Sequence, residues 1–420
     1  MSQFSSTPGS RSVIGRNSPG SPTLLLIGTG TEQYRRYALE QIAERHRVVL
    51  LTPAAPTWAL PYIADHEVAD TRDPDQALAA AERLAARHRI TGVLTWDEYA
   101  QHSAARLAAA LGTFGNSEAT ARACRNKAAS RAAFAAAGVP SAASHHADTL
   151  DQALAAAETI GYPVVVKPAA AAGSIGVRLA DVPSDLVDAY TQAAAHAGHD
   201  GVLVEEYLDG PEVSVECVTA LGMTTPVAVT RKHLGPAPYF EETGHSVEAG
   251  DPLLALVGPV AVQALDAVGF ANGVSHVEMR LTDGGSTPRL IEVNGRLGGD
   301  LIPHLVREAT GIDLPLAAAD IALGLQPDLT PTRRRAAAIH MTYAPATGRL
   351  TCATADPALR EQPWLERLVW EKRSGDHVAL PPAGDLGTAR VAHLIARDTT
   401  AERCLQHLAD ANHHLDITVE

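Results

Sequence analysis

Residues 274–294 read VSHVEMRLTDGGSTPRLIEVN, two alternating segments joined by turn residues at 282–285. Alternation of apolar and polar residues on both sides of such a turn predicts a β-hairpin. Glu278 lies on the first strand, while Glu292 and Asn294 lie two residues apart, and so on one face, of the second. Paired strands lie about 5 Å apart, so these hard oxygen ligands can converge on Mg²⁺. The alternative is a half-exposed hairpin whose acids are solvated.

Upstream of the hairpin, a lysine ends a predicted strand and begins a loop of small residues. The segment 167–177 reads KPAAAAGSIGV and follows a strand predicted for residues 162–166. Small side chains and two glycines let backbone N–H groups approach phosphate oxygens, and the hydroxyl of Ser174, beside Gly173, adds a donor. The Walker pattern GxxxxGK[ST] is absent. We predict that Lys167 and this loop bind phosphate, the alternative being a hairpin with one lysine extending to solvent.

Between these two features lies an acidic segment, EEYLDGPE, at residues 205–212. It continues a strand predicted for residues 201–206. An extended hinge exposes backbone N–H and C=O groups that can read an adenine edge, and a carboxylate just beyond it can accept both ribose hydroxyls. The alternative is an ordinary surface connection.

The whole sequence limits the kind of partner. Its 420 residues suffice for about three domains, and 34 basic against 48 acidic residues give a net charge of −14. Nucleic acids and anionic membranes both favour a basic surface, so we predict neither as a partner. No apolar run approaches the ~20 residues that span a bilayer. The four cysteines are scattered without a CxxC pair, which is consistent with a cytoplasmic protein.

The sequence divides into five predicted segments. Residues 1–20, rich in Ser, Gly, Pro and Arg without an apolar stretch, are typical of a disordered tail. Strands predicted at 23–27, 47–51 and 92–96 alternate with helices, one of them at 74–88, which indicates a doubly wound parallel sheet. The predicted segments are the tail 1–20, an N-terminal α/β domain at 21–115, a second segment at 116–208, a mixed α/β segment at 209–325 and a C-terminal α+β region at 326–420.

The turn after the first predicted strand invites comparison with a dinucleotide-binding motif. Gly28 and Gly30 match the first two glycines of GxGxxG, but Gln33 stands where the third is required. We therefore predict a plain strand-to-helix turn.

Taken in order, the lysine at 127, the lysine and loop at 167, the acidic hinge and the acidic hairpin resemble the ATP-grasp superfamily from about residue 116 to residue 325. The resemblance implies an ATP-grasp fold of mixed α/β and α+β class, whose small lobe (116–208) and large lobe (209–325) enclose the nucleotide. It implies phosphate contacts from Lys127, Lys167, Gly173 and Ser174, adenine contacts from Glu205 and Tyr207, and a ribose contact from Glu212. It also implies two Mg²⁺ ions, replaceable by Mn²⁺, on Glu278, Glu292 and Asn294.

Three further stretches resemble the L-amino-acid ligase branch of that superfamily. They are FEETGHS at 240–246, EVNGRLGGDLIP at 292–303, and GDHV at 375–378 with ARVAHLIA at 389–396. The resemblance implies that Glu242, His245 and Gly299 line an amino-acid pocket and that Arg296 stabilises an acyl phosphate, which makes Lys167, His245 and Arg296 the catalytic candidates.

The position of Arg296 agrees with the role that the resemblance implies. It lies two residues beyond Asn294, on the face of the metal ligands, where a guanidinium can offer paired donors to phosphoryl and carboxylate oxygens. The alternatives are a structural salt bridge for Arg296 and a loop histidine without a role for His245.

The expected reaction joins a small-molecule carboxylate to a small-molecule amine. The carboxylate attacks the γ-phosphate of ATP, and the amine then displaces phosphate from the acyl phosphate, giving an amide, ADP and phosphate. A homodimer is one expected assembly. Two alternatives keep the ATP site: another ATP-grasp ligase or carboxylase of the purine-pathway or biotin carboxylase-like kind, and a non-catalytic nucleotide-binding module. Residues 96–99, WDEY, end the third predicted strand, where open α/β sheets bind ligands; a structural role is the alternative.

Overall fold

The computed structural model describes residues 21–420 except residues 236 and 382, and the tail predicted for residues 1–20 lies outside the described residues. The described part of the chain forms sheets flanked by helices. Within those same residues, no helix is long and apolar enough to cross a membrane.

The N-terminal region is the predicted parallel sheet, with strand order β3-β2-β1-β4. Its elements are β1 (Thr23–Ile27), α1 (Glu32–Ala43), β2 (Arg47–Thr52), β3 (Asp65–Val68), α2 (Pro74–Ala85), β4 (Ile90–Thr95) and α3 (Gln101–Leu111). Strand β1 is buried throughout, as expected of a central parallel strand covered on both faces. Strand β3 was not predicted, because its sequence DHEV carries no apolar run; it lies at the sheet edge, where burial is partial.

The small lobe follows two helices, α4 (Glu118–Arg125) and α5 (Lys127–Ala137). It contains β5 (Ser144–Ala147), α6 (Leu150–Ile160), β6 (Val164–Pro168), β7 (Arg178–Ala180), α7 (Pro183–Ala197) and β8 (Val202–Glu206), with sheet order β5-β8-β6-β7. Thr149 caps α6 by accepting from the N–H of Gln152, as the sequence predicts. The Gln152 side chain, however, accepts from the N–H of Asp148, one residue before the position that a capping box uses.

The large lobe is built on an antiparallel sheet that crosses the predicted division at residue 325. Its first part contains β9 (Glu212–Ala220), β10 (Met223–Leu234), β11 (Glu242–Glu248), α8 (Leu254–Ala267), β12 (Gly273–Thr282), β13 (Thr287–Asn294), α9 (Ile302–Thr310) and α10 (Leu314–Ala322). The C-terminal part adds β14 (Ala336–Tyr343), β15 (Gly348–Ala355), β16 (Leu365–Trp370), β17 (His377–Val378), α11 (Leu386–Ala389), β18 (Arg390–Asp398), α12 (Ala401–Asn412) and β19 (Leu415–Val419).

Strand order in the large sheet is β13-β12-β9-β10-β11-β14-β18-β16, and β17-β15-β19 form a separate small sheet. The C-terminal strands therefore extend the large lobe instead of forming a body of their own. Strand β14 pairs with β11 over residues 336–340, and the alanines at its start are fully buried there.

Helix α10 joins the N-terminal sheet to the large lobe. It packs against α1, β4 and β12, and its residues share one hydrophobic cluster with both sheets. The approach is close at Gly92 of β4, where an added Cβ would lie 2.6 Å from the carbonyl oxygen of Ala322. This packing brings the carboxyl ends of β1 and β4 to the connection between β13 and α9, so the N-terminal region can contribute to a site there.

Candidate active site

The acidic hairpin has the predicted geometry. Glu278 pairs directly with Glu292, and His276 pairs with Asn294, so these four side chains share one face of the sheet. The valines between them, at 277 and 293, are buried in the core on the opposite face. A bulge follows the Glu278–Glu292 pair. Such bulges locally bend a strand and redirect the neighbouring side chains.

Lys127 reaches this face from the first residue of α5. Its Nζ lies 3.1 Å from Oε1 of Glu292 and donates to the carbonyl oxygen of Ala171 at 2.8 Å. The helix starts here because the side chain of Asn126 accepts from two backbone N–H groups of its first turn. Lys127 therefore connects the small-residue loop to the acidic hairpin.

Lys232, which the sequence did not single out, lies at the centre of the acids. Its Nζ is 2.8 Å from Glu212, 2.6 Å from Glu242 and 3.1 Å from Glu278, and its side chain is only 2% exposed. Burial alone would lower the pKa of Lys232, but the three carboxylates raise it well above its ordinary value. Nothing local identifies Lys232 on β10, because its partners come from three other strands.

Lys167 forms a buried ion pair with Glu205, and Arg131 donates to the same carboxylate at 3.1 Å. Burial would raise the pKa of Glu205, yet Arg131 and Lys167 lower it to about 2. The pKa of Lys167 is lowered, mainly by burial, with Arg131 and Lys127 adding repulsion that Glu205 offsets only in part. Glu205 is thus ionised chiefly through Arg131, and Lys167 is the less firmly held cation.

The hinge after β8 is fixed by Arg280. Its guanidinium lies 5.4 Å from the ring centres of Tyr207 and Phe240, donates to the carbonyl oxygen of Leu208 at 3.1 Å, and contacts Glu212 at 3.2 Å. Glu212 therefore carries two cationic partners, Arg280 and Lys232. Stacking of a cation between two rings stiffens the hinge.

These groups line a cleft between the two lobes, with a free volume of about 840 Å³, within the usual range for small-molecule sites. The small-residue loop covers one side of it, where the Ser174 hydroxyl donates to the carbonyl oxygen of Phe240 at 3.1 Å. The predicted residues that line the cleft are Lys127, Lys167, Gly173, Ser174, Glu205, Tyr207, Glu212, Glu242, Glu278 and Glu292. Asn294, Arg296, His245 and Gly299 lie outside this lining.

Arg296 is held by a carboxylate from the N-terminal region. Its Nε donates to Glu98, and its Nη1 donates to the carbonyl oxygen of Leu297 at 2.9 Å. Burial would raise the pKa of Glu98, but Arg296 and then Arg125 keep it below its ordinary value. Of residues 96–99, Glu98 is thus the one that reaches the predicted catalytic arginine. Trp96 instead donates to the carbonyl oxygen of Thr29 at 3.1 Å.

His245 is fully buried between two carboxylates. Its Nε2 lies 3.3 Å from Glu242 and 3.4 Å from Asp300, and Arg390 binds both oxygens of Asp300 at 2.7 and 2.8 Å. Burial opposes protonation, but Asp300 and Glu242 raise the pKa of His245 above its ordinary value. Lys232, through Glu242, links this group to the nucleotide-sized cleft.

The two glycines before Asp300 differ in what they permit. A Cβ on Gly298 would lie 3.1 Å from Nδ1 of His276 and 3.3 Å from Oε2 of Glu216, whereas a Cβ on Gly299 would meet nothing within 4 Å. Gly298 therefore allows the close approach to the acidic face, and Gly299 borders open space. His276, also unpredicted, contacts Glu216 and Glu278; although burial would lower it, they raise its pKa to about 10.

Residues 126–329 match the family described as carbamoyl-phosphate synthase L chain, ATP binding domain. This range begins just before Lys127 and includes both lobes of the cleft.

Among curated relatives, carnosine synthase 1 of Homo sapiens is 32% identical over 195 residues, covering 43% of this chain and 23% of that protein. Alanine–anticapsin ligase of Bacillus subtilis is 27% identical over 290 residues, covering 63% of this chain and 60% of the relative. A protein of Sinorhizobium fredii, y4rH, is 29% identical over 78% of this chain and 69% of its own length. The chain thus spans only about a quarter of carnosine synthase.

Among solved structures, L-amino acid ligase from Bacillus licheniformis has a TM-score of 0.82 at 22% identity, covering 96% of this chain and all of that one. Phosphoribosylglycinamide synthetase from Anaerococcus prevotii has a TM-score of 0.72 at 20% identity, covering 95% of this chain and all of that one. The fold and the cleft define an ATP-grasp protein of the ligase type. The chain is a member of the ATP-grasp superfamily.

Proposed function

We propose that the protein is an ATP-dependent carboxylate–amine ligase that joins amino acids, or substrates like them, through an acyl phosphate and releases ADP and phosphate. The observation that carries the proposal is the acidic face of the hairpin, Glu278 and Glu292, lying opposite Lys127 and Lys167 across a cleft between two lobes. The likeness to amino-acid-joining relatives supports the substrate class.

In this function the nucleotide occupies the cleft with its phosphates beside the lysines. Lys127 and Lys167 contact phosphate oxygens, with the backbone of the loop at Gly173 and Ser174. Tyr207 belongs to the hinge that takes the adenine. The side chain of Glu205 is committed to Lys167 and Arg131, so we assign it the task of holding Lys167 in place instead of contacting adenine.

The donor set suits Mg²⁺. Glu278 and Glu292 lie side by side with the amide of Asn294 on the same face, and carboxylate and amide oxygens are the hard ligands that Mg²⁺ prefers. Two lysine ammonium groups contact these carboxylates at 3.1 Å, which marks the face as one that requires cations. Mg²⁺ bound there supplies positive charge next to the phosphates of ATP.

Arg296 and the His245 group define the substrate end. As the carboxylate attacks the γ-phosphate, negative charge spreads over the transferring oxygens, and a guanidinium fixed by Glu98 can stabilise it without reorganising. His245, held between Glu242 and Asp300, is a candidate contact for the amino-acid substrate. Gly299 leaves room for that substrate at the start of α9.

The test is a turnover assay over pairs of amino acids, with ADP and phosphate measured together and the product identified by mass spectrometry. We expect amide, ADP and phosphate in equal amounts. Release of AMP would contradict an acyl phosphate, and a requirement for bicarbonate would favour a carboxylase.

Glu292→Gln tests the site itself. Loss of one carboxylate from the acidic face should abolish turnover while the fold is kept, because Gln occupies the same volume. The matched control is Asp283→Asn, in the exposed turn of the same hairpin, which should retain activity. Equal loss in both variants would indicate a disturbed hairpin and not a catalytic face.

A further inference from the structure

Arg35 crosses from the N-terminal region to the substrate end of the site. It follows the turn at Gly28–Gly30, in the first turns of α1, and its Nη1 donates to the carbonyl oxygen of Gly298 at 3.3 Å. Gly30 permits this path: it has φ +66°, and a Cβ there would lie 2.8 Å from Cγ of Arg35. Arg296 donates to the carbonyl oxygen of Leu297. The two guanidinium groups therefore bind the carbonyls of adjacent residues.

Arg35 has no acidic partner. Within the described residues no carboxylate lies within 4 Å of it, and one backbone carbonyl accepts from its five N–H donors. Arg390, by contrast, donates to both oxygens of Asp300 and to the carbonyl oxygen of Glu242. Burial lowers the pKa of Arg35, and Arg296 adds to the effect, as expected of a partly desolvated cation that lacks a counter-ion.

Arg35 faces an open pocket with a free volume of about 570 Å³. The pocket is lined by Gly30, Thr31, Tyr34, Arg35, Asp300, Glu371, Gly387 and Arg390. Its two carboxylates are already satisfied: Asp300 by Arg390, and Glu371 by the Tyr34 hydroxyl at 2.5 Å and His393 at 2.9 Å. The charge left without a partner is that of Arg35, so the pocket favours an anionic group.

We propose that Arg35 binds the carboxylate of the amine substrate, so that the substrate that supplies the amine is itself an amino acid with a free carboxylate. The proposal rests on the proposed function and deepens it. Arg296 serves the reacting carboxylate, and the attacking amine must approach the same carbon. A carboxylate one carbon from that amine lies within a few ångströms of the reacting centre, and Arg35 is the neighbouring unpaired cation. A guanidinium binds a carboxylate through two parallel hydrogen bonds.

The test compares each amino acid that the protein accepts as amine with its own carboxamide, which lacks the negative charge. Binding is measured by calorimetry in the presence of Mg²⁺ and a non-hydrolysable ATP analogue, and turnover is measured by ADP release. In the unmodified protein the free acid should bind more tightly than the carboxamide. In Arg35→Met the affinity for the acid should fall about 10- to 100-fold, the range for a charged hydrogen-bonded pair, while that for the carboxamide stays the same. Arg35→Lys should recover part of the loss.

Arg36→Met is the matched control, because Arg36 is the next residue of α1 and its partners are the exposed Glu32 and Glu40. It should leave both affinities unchanged. Equal binding of acid and carboxamide by the unmodified protein, or an equal loss of both in Arg35→Met, would overturn the proposal. A protein that binds the acid through Arg35 but releases no ADP would contradict the ligase function while supporting this inference.

Discussion

Glu98→Gln tests whether the N-terminal region positions the proposed catalytic arginine. The Glu98 carboxylate is 9% exposed and is the acidic partner of Arg296, with Arg125 at 3.4 Å. Glutamine keeps the shape and one acceptor but removes the charge. Hydrogen bonds to charged groups contribute about 1.5–3 kcal/mol, so we expect about 2 kcal/mol of positioning energy to be lost, or about 30-fold in kcat. Since Glu98 does not line the nucleotide cleft, KM for ATP should be unchanged.

The assay is steady-state ADP release with saturating substrates, combined with thermal unfolding. The control is Glu308→Gln, because Glu308 is also a buried carboxylate with arginine partners, Arg333 at 2.9 Å and Arg335, and it lies on the far end of α9. Both variants should lower the unfolding temperature, and only Glu98→Gln should lower kcat. Unchanged kcat in Glu98→Gln, or an equal drop in both, would refute the positioning role.

The remaining predictions concern the buried charges of the cleft. Lys232→Met removes the cation that three carboxylates share, Glu278 among them, and should destabilise the fold by about 3–5 kcal/mol; Mg²⁺ should restore more of the unfolding temperature in this variant than in the unmodified protein, and no such difference would place Mg²⁺ elsewhere. Because the pKa of Glu205 is lowered to about 2, its ion pairs with Arg131 and Lys167 stabilise the fold above the ordinary pKa of a glutamate, and this stability is lost as pH falls towards 2. The shift corresponds to about 3 kcal/mol, so urea unfolding at pH 7 and pH 3 should show a smaller pH dependence in Glu205→Gln; an equal dependence would contradict the shift.

Local pattern was enough to predict the acidic hairpin and its face. Alternation on both strands and the Asp-Gly-Gly turn set the direction of Glu278, Glu292 and Asn294, because side chains in a strand alternate with a strict period of two. The buried strand β1 and the cap of α6 were predictable for the same reason: each depends on residues within one element.

The partners of the site residues were not predictable, because they come from distant elements. Lys232 reaches acids on β9, β11 and β12, and Glu98 reaches Arg296 from a different sheet. A single sequence carries no record of which buried charges meet, since that depends on strand register and on the packing of α10 between two sheets. Glu205 illustrates the limit: its place at the end of a strand was predicted correctly, but its burial against Lys167 and Arg131 depends on α5.

These partners share one electrostatic arrangement. Carboxylates buried without a cation would be severely destabilising, and the acids that the proposed function assigns to Mg²⁺ and ribose already contact a lysine: Glu292 contacts Lys127, and Glu278 and Glu212 contact Lys232. When Mg²⁺ and ATP bind, the metal takes over the carboxylates and the lysines become available to the phosphates. The number of opposite-charge contacts is then conserved, so the site can bind a highly charged nucleotide without first breaking a favourable network. In the proposed function metal and nucleotide affinity are therefore coupled, because either one alone leaves a lysine shared between two anions.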